Sequence, residues 1–243
     1  VENSIEGGVS ATLDALANTT DIRIFGEYLV PVTFNLVANP GTKLADVKVI
    51  STHPTAYAQC REYLAANLPK HTHIPSTSTA AAAVGLLEKS SVADAAIAAK
   101  SITDHYKLTV LAKNIGDNKN AQTRFIEIGL PAKPTTRTGK DKTSVIVELP
   151  TDRPGALLEM LEQFAARGVN LSRIESRPVG DQLGRYRFNI DAQGHIDDEA
   201  VAEALKGLHR FSPNVIFLGS YPRADKQKSE HLGNNSNKEF ATA

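Results

Sequence analysis

Pro131 to Lys142 reads Pro-Ala-Lys-Pro-Thr-Thr-Arg-Thr-Gly-Lys-Asp-Lys, and this stretch constrains the fold more than any other feature of the chain. It carries no apolar periodicity, so it cannot bury a helix stripe or a strand face, and it reads as a linker. The linker divides 243 residues into two halves of different pattern, 1–130 and 143–222. A chain of this length can hold one large or two ordinary domains and bury a sizeable core. Both halves read as α/β.

The half after the linker is the more regular. Thr143 to Leu149 is a strand, and Asp152-Arg153-Pro154-Gly155 opens a helix with Leu157, Leu158, Leu161, Phe164 and Ala165 as its stripe. Gly168 closes that helix at the C′ position. Val169 to Arg177 is a strand, Gly180 to Gly184 a turn, and Arg185 to Asp191 a strand with Tyr186, Phe188 and Ile190 on one face. Asp197 caps a helix carrying Val201, Leu205 and Leu208, and Val215 to Tyr221 is the last strand. The order βαββαβ is that of a ferredoxin-like unit, with two helices on one sheet face and the other face uncovered. Its strand edges are expected to pair between protomers in a homodimer or homotetramer. Arg223 to Ala243 is polar and aperiodic and is expected to be disordered.

In the first half, strand, polar turn and helix recur. Val1 to Glu6 leads through Gly7-Gly8 into a helical spacing at Val9, Leu13 and Leu16. Asn3 and Ser4 then lie where a strand meets a helix start, a usual place for small-molecule contacts in open α/β sheets. Ile22 to Val37 reads as two extended stretches about Pro31, and Val47 to Ser51 as a short strand. One helix is expected from about Thr55 to Leu68, with Tyr57, Cys60, Tyr63 and Leu64 along one side. His53 orders the turn before Pro54, Cys60 is a small buried hydrophobe, and Thr52 and Gln59 flank the junction. Ser78 and Thr79 precede Ala80 to Leu87 as a helix N-cap, and Asp94 to Ser101 is a strand running into another helix start, with Lys100 solvated.

Asn114 to Phe125, between apolar runs at Leu108–Ala112 and Phe125–Leu130, reads as strand, loop, strand. Arg124 can pair with a carboxylate, Thr123 can donate to a hydroxyl, and Phe125 can wall a pocket; a solvated hairpin with a surface ion pair is the plainer alternative. Two α/β lobes with a polar cleft between them would explain the hydroxyl-lined junctions.

Composition excludes several classes. Lys and Arg match Asp and Glu at 27 each, so no overall field favours nucleic acid or a membrane surface. Cys60 is the single cysteine, which rules out an internal disulfide and suits a reducing compartment. Dinucleotide, Walker and metal-ligand patterns are absent, so neither a cofactor nor a metal is expected. No run approaches a transmembrane helix and no signal peptide is visible, so a soluble cytoplasmic protein is expected. The chain opens at Val1 without methionine, and the expectation is that an N-terminal segment is lacking.

With these residues in view, the chain resembles the prephenate dehydratase family from Val1 to about Pro222. Glu2-Asn3, Thr52-His53-Pro54 with Gln59-Cys60, Ser78-Thr79-Ala80 and Thr123-Arg124-Phe125 are similar to the family's catalytic motifs in order. Gly155-Ala156-Leu157-Leu158 and Glu175-Ser176-Arg177-Pro178 resemble the phenylalanine-binding motifs of its ACT regulatory domain. Thr52 replaces the family's usual serine, and its Gly-Pro-x-Gly-Thr-Phe segment is not present. The resemblance implies a periplasmic-binding-protein-like catalytic domain of two lobes, the second at about 30–105, followed by the ACT domain.

It also implies a cofactor-free carbon–oxygen lyase of phenylalanine biosynthesis. Prephenate loses its ring carboxylate as carbon dioxide and its ring hydroxyl as water, giving phenylpyruvate. Thr123 would stand near the leaving hydroxyl, and Glu2 would be the acid behind it if a closed cleft raises its pKa. Asn3, Ser4, Thr52, Gln59, Ser78, Thr79 and Phe125 would bind substrate, and Arg124 would take a carboxylate or hold the loop. L-Phenylalanine would bind near Gly155, Ala156, Leu157, Leu158, Asn170, Leu171, Glu175, Ser176, Arg177 and Pro178. Arogenate dehydratase and a non-catalytic amino-acid sensor are the alternatives.

Overall fold

The computed structural model describes residues 1–19, 21–180 and 184–225. Of the tail expected to be disordered from Arg223, residues 226–243 lie outside the described residues, as does the middle of the Gly180–Gly184 turn, whereas Arg223 is buried, bonded to the Lys140 carbonyl and paired with Asp225. In chain order the elements begin with β1 (Glu2–Asn3), β2 (Gly7–Gly8), α1 (Ser10–Asn18), β3 (Arg23–Pro31), β4 (Asn35–Ala38) and β5 (Val49–Thr52). They continue with α2 (Pro54–Ala58), α3 (Arg61–Asn67), β6 (Thr72–Pro75), α4 (Thr79–Gly85), β7 (Ala95–Ala98), α5 (Ile102–His105), β8 (Thr109–Ala112) and β9 (Gln122–Gly129). The chain closes with β10 (Asp141–Glu148), α6 (Ala156–Ala165), β11 (Leu171–Pro178), β12 (Tyr186–Gln193), α7 (Glu199–Phe211) and β13 (Val215–Pro222). They fall into two compact units, one of residues 1–30 with 123 onward and one of residues 31–122. Among the described residues no helix is long and apolar enough to cross a membrane.

The 31–122 unit is built on a sheet ordered β6-β5-β7-β4-β8, parallel at β6-β5-β7 and antiparallel at β7-β4-β8. Every residue of β4 and β7 is buried, as a continuous apolar strand requires when both sheet faces are covered. Leu36, Ile50, Ala95 and Ile97 meet Cys60, Leu64 and Leu68 on one face. Val37, Ala96 and Ala98 meet Ala82, Ala83 and Leu86 on the other.

The single helix expected from Thr55 to Leu68 is two, α2 and α3, broken at Gln59-Cys60. The break frees the Gln59 carbonyl to accept the Asp117 N–H at 2.7 Å, while the Asp117 carboxylate accepts the Glu62 N–H at 3.3 Å in the first turn of α3. The polar loop after β8 is therefore stitched into this unit. Ile115 is buried and bonded to the Phe34 carbonyl, and Lys119 donates to the carbonyls of Asn114 and Gly116. Asn114 turns the chain at φ +50°. The hairpin reading fails here, because β8 and β9 belong to different sheets.

The other unit contains two four-stranded sheets, β2-β1-β9-β3 and β11-β12-β10-β13. The second is antiparallel throughout, and its elements follow one another as βαββαβ. Phe164 and Met160 of α6 and Val201, Ala204 and Leu208 of α7 pack on Val145, Val147, Phe188 and Ile190. Asp198, one residue later than expected, precedes α7, and its carboxylate accepts the His195 N–H rather than a helix N–H.

The opposite face of that sheet was expected to be uncovered, and it is not. Ile146, Leu218 and Tyr221 pack against Leu16 of α1 and Ile24 of β3, so β10 is buried on both sides from Asp141 to Val147. Gly219 permits this closeness. It has φ +150° beside a register shift in the β10–β13 ladder, and a Cβ there would stand 2.2 Å from the Ile24 carbonyl oxygen.

Candidate active site

Strand β1 pairs antiparallel with β9, placing Glu2 opposite Arg124 and Asn3 opposite Thr123. Directly opposed residues share a face and successive residues alternate, so this small ladder separates two kinds of chemistry.

One face carries Asn3, Thr123 and Phe125. The Asn3 carboxamide oxygen accepts the N–H groups of Ile5 and Glu6 at 2.9 and 3.1 Å, which fixes the turn between β1 and β2. With its oxygen so held, its nitrogen must point the other way, and it donates to the Thr123 hydroxyl at 3.0 Å. A hydroxyl that accepts such a bond keeps its own proton for a third group and becomes a better donor by polarisation. Thr123 and Phe125 line a largely apolar groove of about 380 Å³ with Val9, Thr12 and Ile128, and Phe125 is half exposed. A hydroxyl donor at the edge of an apolar wall suits a ring that bears a leaving hydroxyl.

The other face is ionic and closed. Arg124 is 7% exposed, and its Nε donates to Glu27 at 2.5 Å, its Nη1 to Asp191 at 2.6 Å and its Nη2 to the Tyr221 hydroxyl at 2.8 Å. Ser144 donates to Asp191 at 2.5 Å, so the Tyr221 proton is left for the Ser144 oxygen at 2.6 Å, and a ring of bonds closes through Arg124, Tyr221, Ser144 and Asp191. Lys142 reaches the Glu27 carboxylate at 2.9 Å. Burial alone would lower the Arg124 basicity, but Asp191 and Glu27 outweigh it and raise it above the ordinary value. Burial likewise pushes the Asp191 carboxyl up, while Arg124, Lys142 and the Ser144 bond carry it below its usual range.

Two of the expected site residues, Glu2 and Arg124, share this face. Glu2 lies on the Arg124 face, with its carboxylate 3.5 Å from both Arg124 and Arg173, and strand alternation turns it away from the Thr123 hydroxyl. It is an ion-pair partner of both guanidinium groups and makes no bond to Thr123 among those the structure shows. Arg124 has its Nε, Nη1 and Nη2 committed within the chain. Ser4 is exposed beside the Asn3 turn.

Four further expected substrate residues belong to the 31–122 unit. Thr52 has no exposed surface and donates its hydroxyl to the Ile97 carbonyl at 2.8 Å, so it ties β5 to β7 instead of facing a ligand. His53 caps α2 by accepting the Thr55 N–H. Gln59 is 8% exposed at the α2–α3 break, and burial pushes the neighbouring Cys60 thiol up to about 12, which keeps it protonated and unreactive. Ser78 is exposed and caps α4 through the Ala81 N–H at 2.9 Å, with Thr79 the first helical residue.

The expected effector residues divide between the start of α6 and the edge strand β11. Gly155 turns the chain at φ +86°, Ala156 is buried, and Leu157 and Leu158 are exposed. Asn170 is exposed just before β11, and Leu171, Ser176 and Pro178 lie along that strand. Glu175 pairs with Arg173 at 2.5 Å and lies over Gly8, and Arg177 pairs with Asp14 of α1 at 2.8 Å. Sequence reasoning missed Glu27, Lys142, Ser144, Asp191 and Tyr221. One signal was a charged residue flanked by apolar ones on a strand, Glu27 within Phe25–Val30 and Asp191 between Ile190 and Ala192. Among the described residues no cluster of three or more His, Cys, Asp or Glu could hold a metal ion.

The model of the prephenate dehydratase family matches residues 1–133, and that of the ACT domain matches residues 143–210. The prephenate dehydratase of Mycolicibacterium gilvum is 44% identical over 225 residues, which are 93% of this chain and 72% of that protein. A crystal structure of prephenate dehydratase from Arthrobacter aurescens in complex with L-Phe superposes with a TM-score of 0.90 at 55% identity, over 98% of this chain and 78% of that one. A structure described as GqqA, a novel type of quorum quenching acylase, follows at 0.79 and 30%, over 92% and 79%. The chain belongs to the prephenate dehydratase family and carries that family's ACT domain.

Proposed function

We propose that Thr123 delivers the decisive hydrogen bond in the family's reaction, the cofactor-free decarboxylative dehydration of prephenate to phenylpyruvate. The bond from the Asn3 amide to the Thr123 hydroxyl carries this reading, because it leaves the Thr123 proton free to go to the departing ring hydroxyl. Aromatisation drives the loss of carbon dioxide and hydroxide, so the protein's task is to orient the ring and meet the charge growing on the leaving oxygen. A threonine hydroxyl is too weak an acid to surrender its proton outright. It stabilises the leaving oxygen as a donor, and Phe125 supplies the wall for the ring. Ser4, exposed beside the Asn3 turn, adds a polar contact in this assignment.

The finer architecture follows the same line. The mixed sheet of residues 31–122 supports reading it as one lobe of a periplasmic-binding-protein-like domain, and the order β11-β12-β10-β13 supports a ferredoxin-like unit. L-Phenylalanine is assigned to the α6 start and β11, with the exposed Leu157 and Leu158 as apolar contacts. The L-Phe complex of the Arthrobacter relative supports this. The unpaired edge of β11 supports assembly of a dimer or tetramer through this sheet.

The likeness to an acylase raises acyl transfer as a second reading. Thr123, however, is bonded to an amide and not to a base, and the Cys60 thiol is buried and protonated, so neither is an activated nucleophile. The test is phenylpyruvate formation from prephenate by the full-length protein. Thr123→Ala is expected to lower kcat by about 10²-fold or more with Thr123→Ser partly restored. Unchanged turnover in Thr123→Ala would sink the assignment. L-Phenylalanine is expected to raise Tm and reduce turnover in the same preparation, and an effect on neither would remove it as the effector.

A further inference from the structure

We propose that Asp191, within the ACT sheet, is a positioning residue for the dehydration: it fixes Arg124 and through it the register of β9 that presents the Thr123 hydroxyl. The proposal rests on the reading of Thr123 given above.

On its β1 side the ladder around Thr123 is a weak ruler. β1 has two residues and pairs on its other edge with β2, which also has two. Because side chains alternate with period two, a slip of β9 by one residue would put Thr123 on the ionic face and Arg124 in the apolar groove. The longer β3 on the other edge of β9 resists that slip, and Arg124 adds a side-chain lock that ties the β3–β9 pair to the sheet beneath it. Arg124 is the next residue to Thr123, and its planar fork meets three acceptors at once, which a one-residue shift of β9 would break.

Asp191 is the firmest of those acceptors. It sits in the middle of β12, is 3% exposed, and takes Ser144 from β10 on one oxygen and Arg124 on the other. Tyr221 of β13 closes the ring, so three neighbouring strands of one sheet hold the guanidinium. Glu27 is shared between Arg124 and Lys142, whereas Asp191 balances the second positive charge. Buried ion pairs contribute little net stability compared with a well-packed apolar contact, and their best-attested use is to fix register. That is the role this ring fills.

The test uses the full-length protein with Asp191→Asn, Tyr221→Phe and a control, Ile190→Val. Ile190 precedes Asp191 on the same strand but faces the helices. Well below its Tm, Asp191→Asn is expected to lower kcat by about tenfold or more with KM for prephenate within about threefold, as a displaced catalytic hydroxyl would. Ile190→Val is expected to lower Tm and leave kcat within about twofold. In a Thr123→Ala background, Asp191→Asn should cost no further kcat, because it acts through Thr123. A normal kcat in Asp191→Asn despite a fallen Tm would overturn the proposal, and so would a further loss in the Thr123→Ala background. If Asp191→Asn does not fold, Tyr221→Phe, which removes one hydroxyl, decides by the same split, with a kcat loss of about threefold or more expected. An inactive wild type would instead defeat the reading of Thr123 and take this proposal with it.

Discussion

The two faces of the β11-β12-β10-β13 sheet are held by opposite means. Toward α6 and α7 the contact is dry: Val145, Val147, Phe188 and Ile190 against Met160, Phe164 and Leu208. Toward β9 it mixes an apolar patch of Ile146, Leu218 and Ile24 with buried Arg124, Glu27, Lys142, Asp191 and Tyr221. The dry face contributes transfer free energy that is tolerant of small sliding, since one methyl serves nearly as well as another. The ionic face tolerates none, because a displaced guanidinium would be a buried unpaired charge. One face stabilises the sheet, and the other specifies where its neighbour must lie.

Substitution at each face should separate these roles. Phe164→Ala on the dry face is expected to cost about 3–5 kcal/mol, and equally at about pH 6 and pH 3, because no charge is involved. Asp191→Ala is expected to cost a similar ~3–5 kcal/mol near neutrality, from the unpaired Arg124 it leaves. Its pH dependence should differ. Burial raises the Asp191 carboxyl, but Arg124 and Lys142 together with Ser144 hold it below its ordinary 3.8 in the folded chain. A carboxyl depressed by folding contributes stability that is complete above its unfolded value and is lost as pH falls through the folded one. The gap between wild type and Asp191→Ala should therefore be full at about pH 6 and shrink only below about pH 4. Denaturant unfolding at several pH values measures both. A gap that widens on acidification would contradict the pairing.

The two faces were also unequally legible in the sequence. The helices of the dry face announce themselves by apolar residues at helical spacing, and βαββαβ followed from the order of patterns. On the ionic face, the alternation of β12 correctly put Phe188 and Ile190 together, but it consigned Asp191 to solvent because nothing local says that β3, α1 and β9 will cover that face. Thr123 and Asn3 stood out in the sequence as candidates, since short hydroxyl and amide side chains at strand ends are where contacts gather, and the two are bonded to each other. Their separation from Glu2 and Arg124 was not legible, because facing depends on the β1–β9 register and that comes from pairing across more than a hundred residues. The break at Gln59-Cys60 escaped for a like reason: the partner that takes up the freed Gln59 carbonyl, Asp117, is remote in the chain. At Thr52 the motif was legible but the bond its hydroxyl makes to the Ile97 carbonyl of the neighbouring strand was not.

The seam between the two faces offers a last and smaller test. Gly219 lies on β13 between Leu218, which packs toward Ile24, and Ser220, which bonds Thr143. Its φ of +150° disfavours any side chain, and a Cβ would meet the Ile24 carbonyl at 2.2 Å, a backbone atom that cannot swing aside. Gly219→Ala is expected to cost about 1–3 kcal/mol from the backbone conformation alone. The clash adds to this by pushing β3 outward, and β3 carries Glu27. The loss should therefore reach the ionic ring and lower turnover, whereas a dry-face substitution of equal cost should not. Ile190→Val, from the other face of the same sheet, supplies the comparison at matched Tm. If Gly219→Ala lost stability but kept full kcat, the ionic face would be a fastening only, and the distinction between the two faces would collapse.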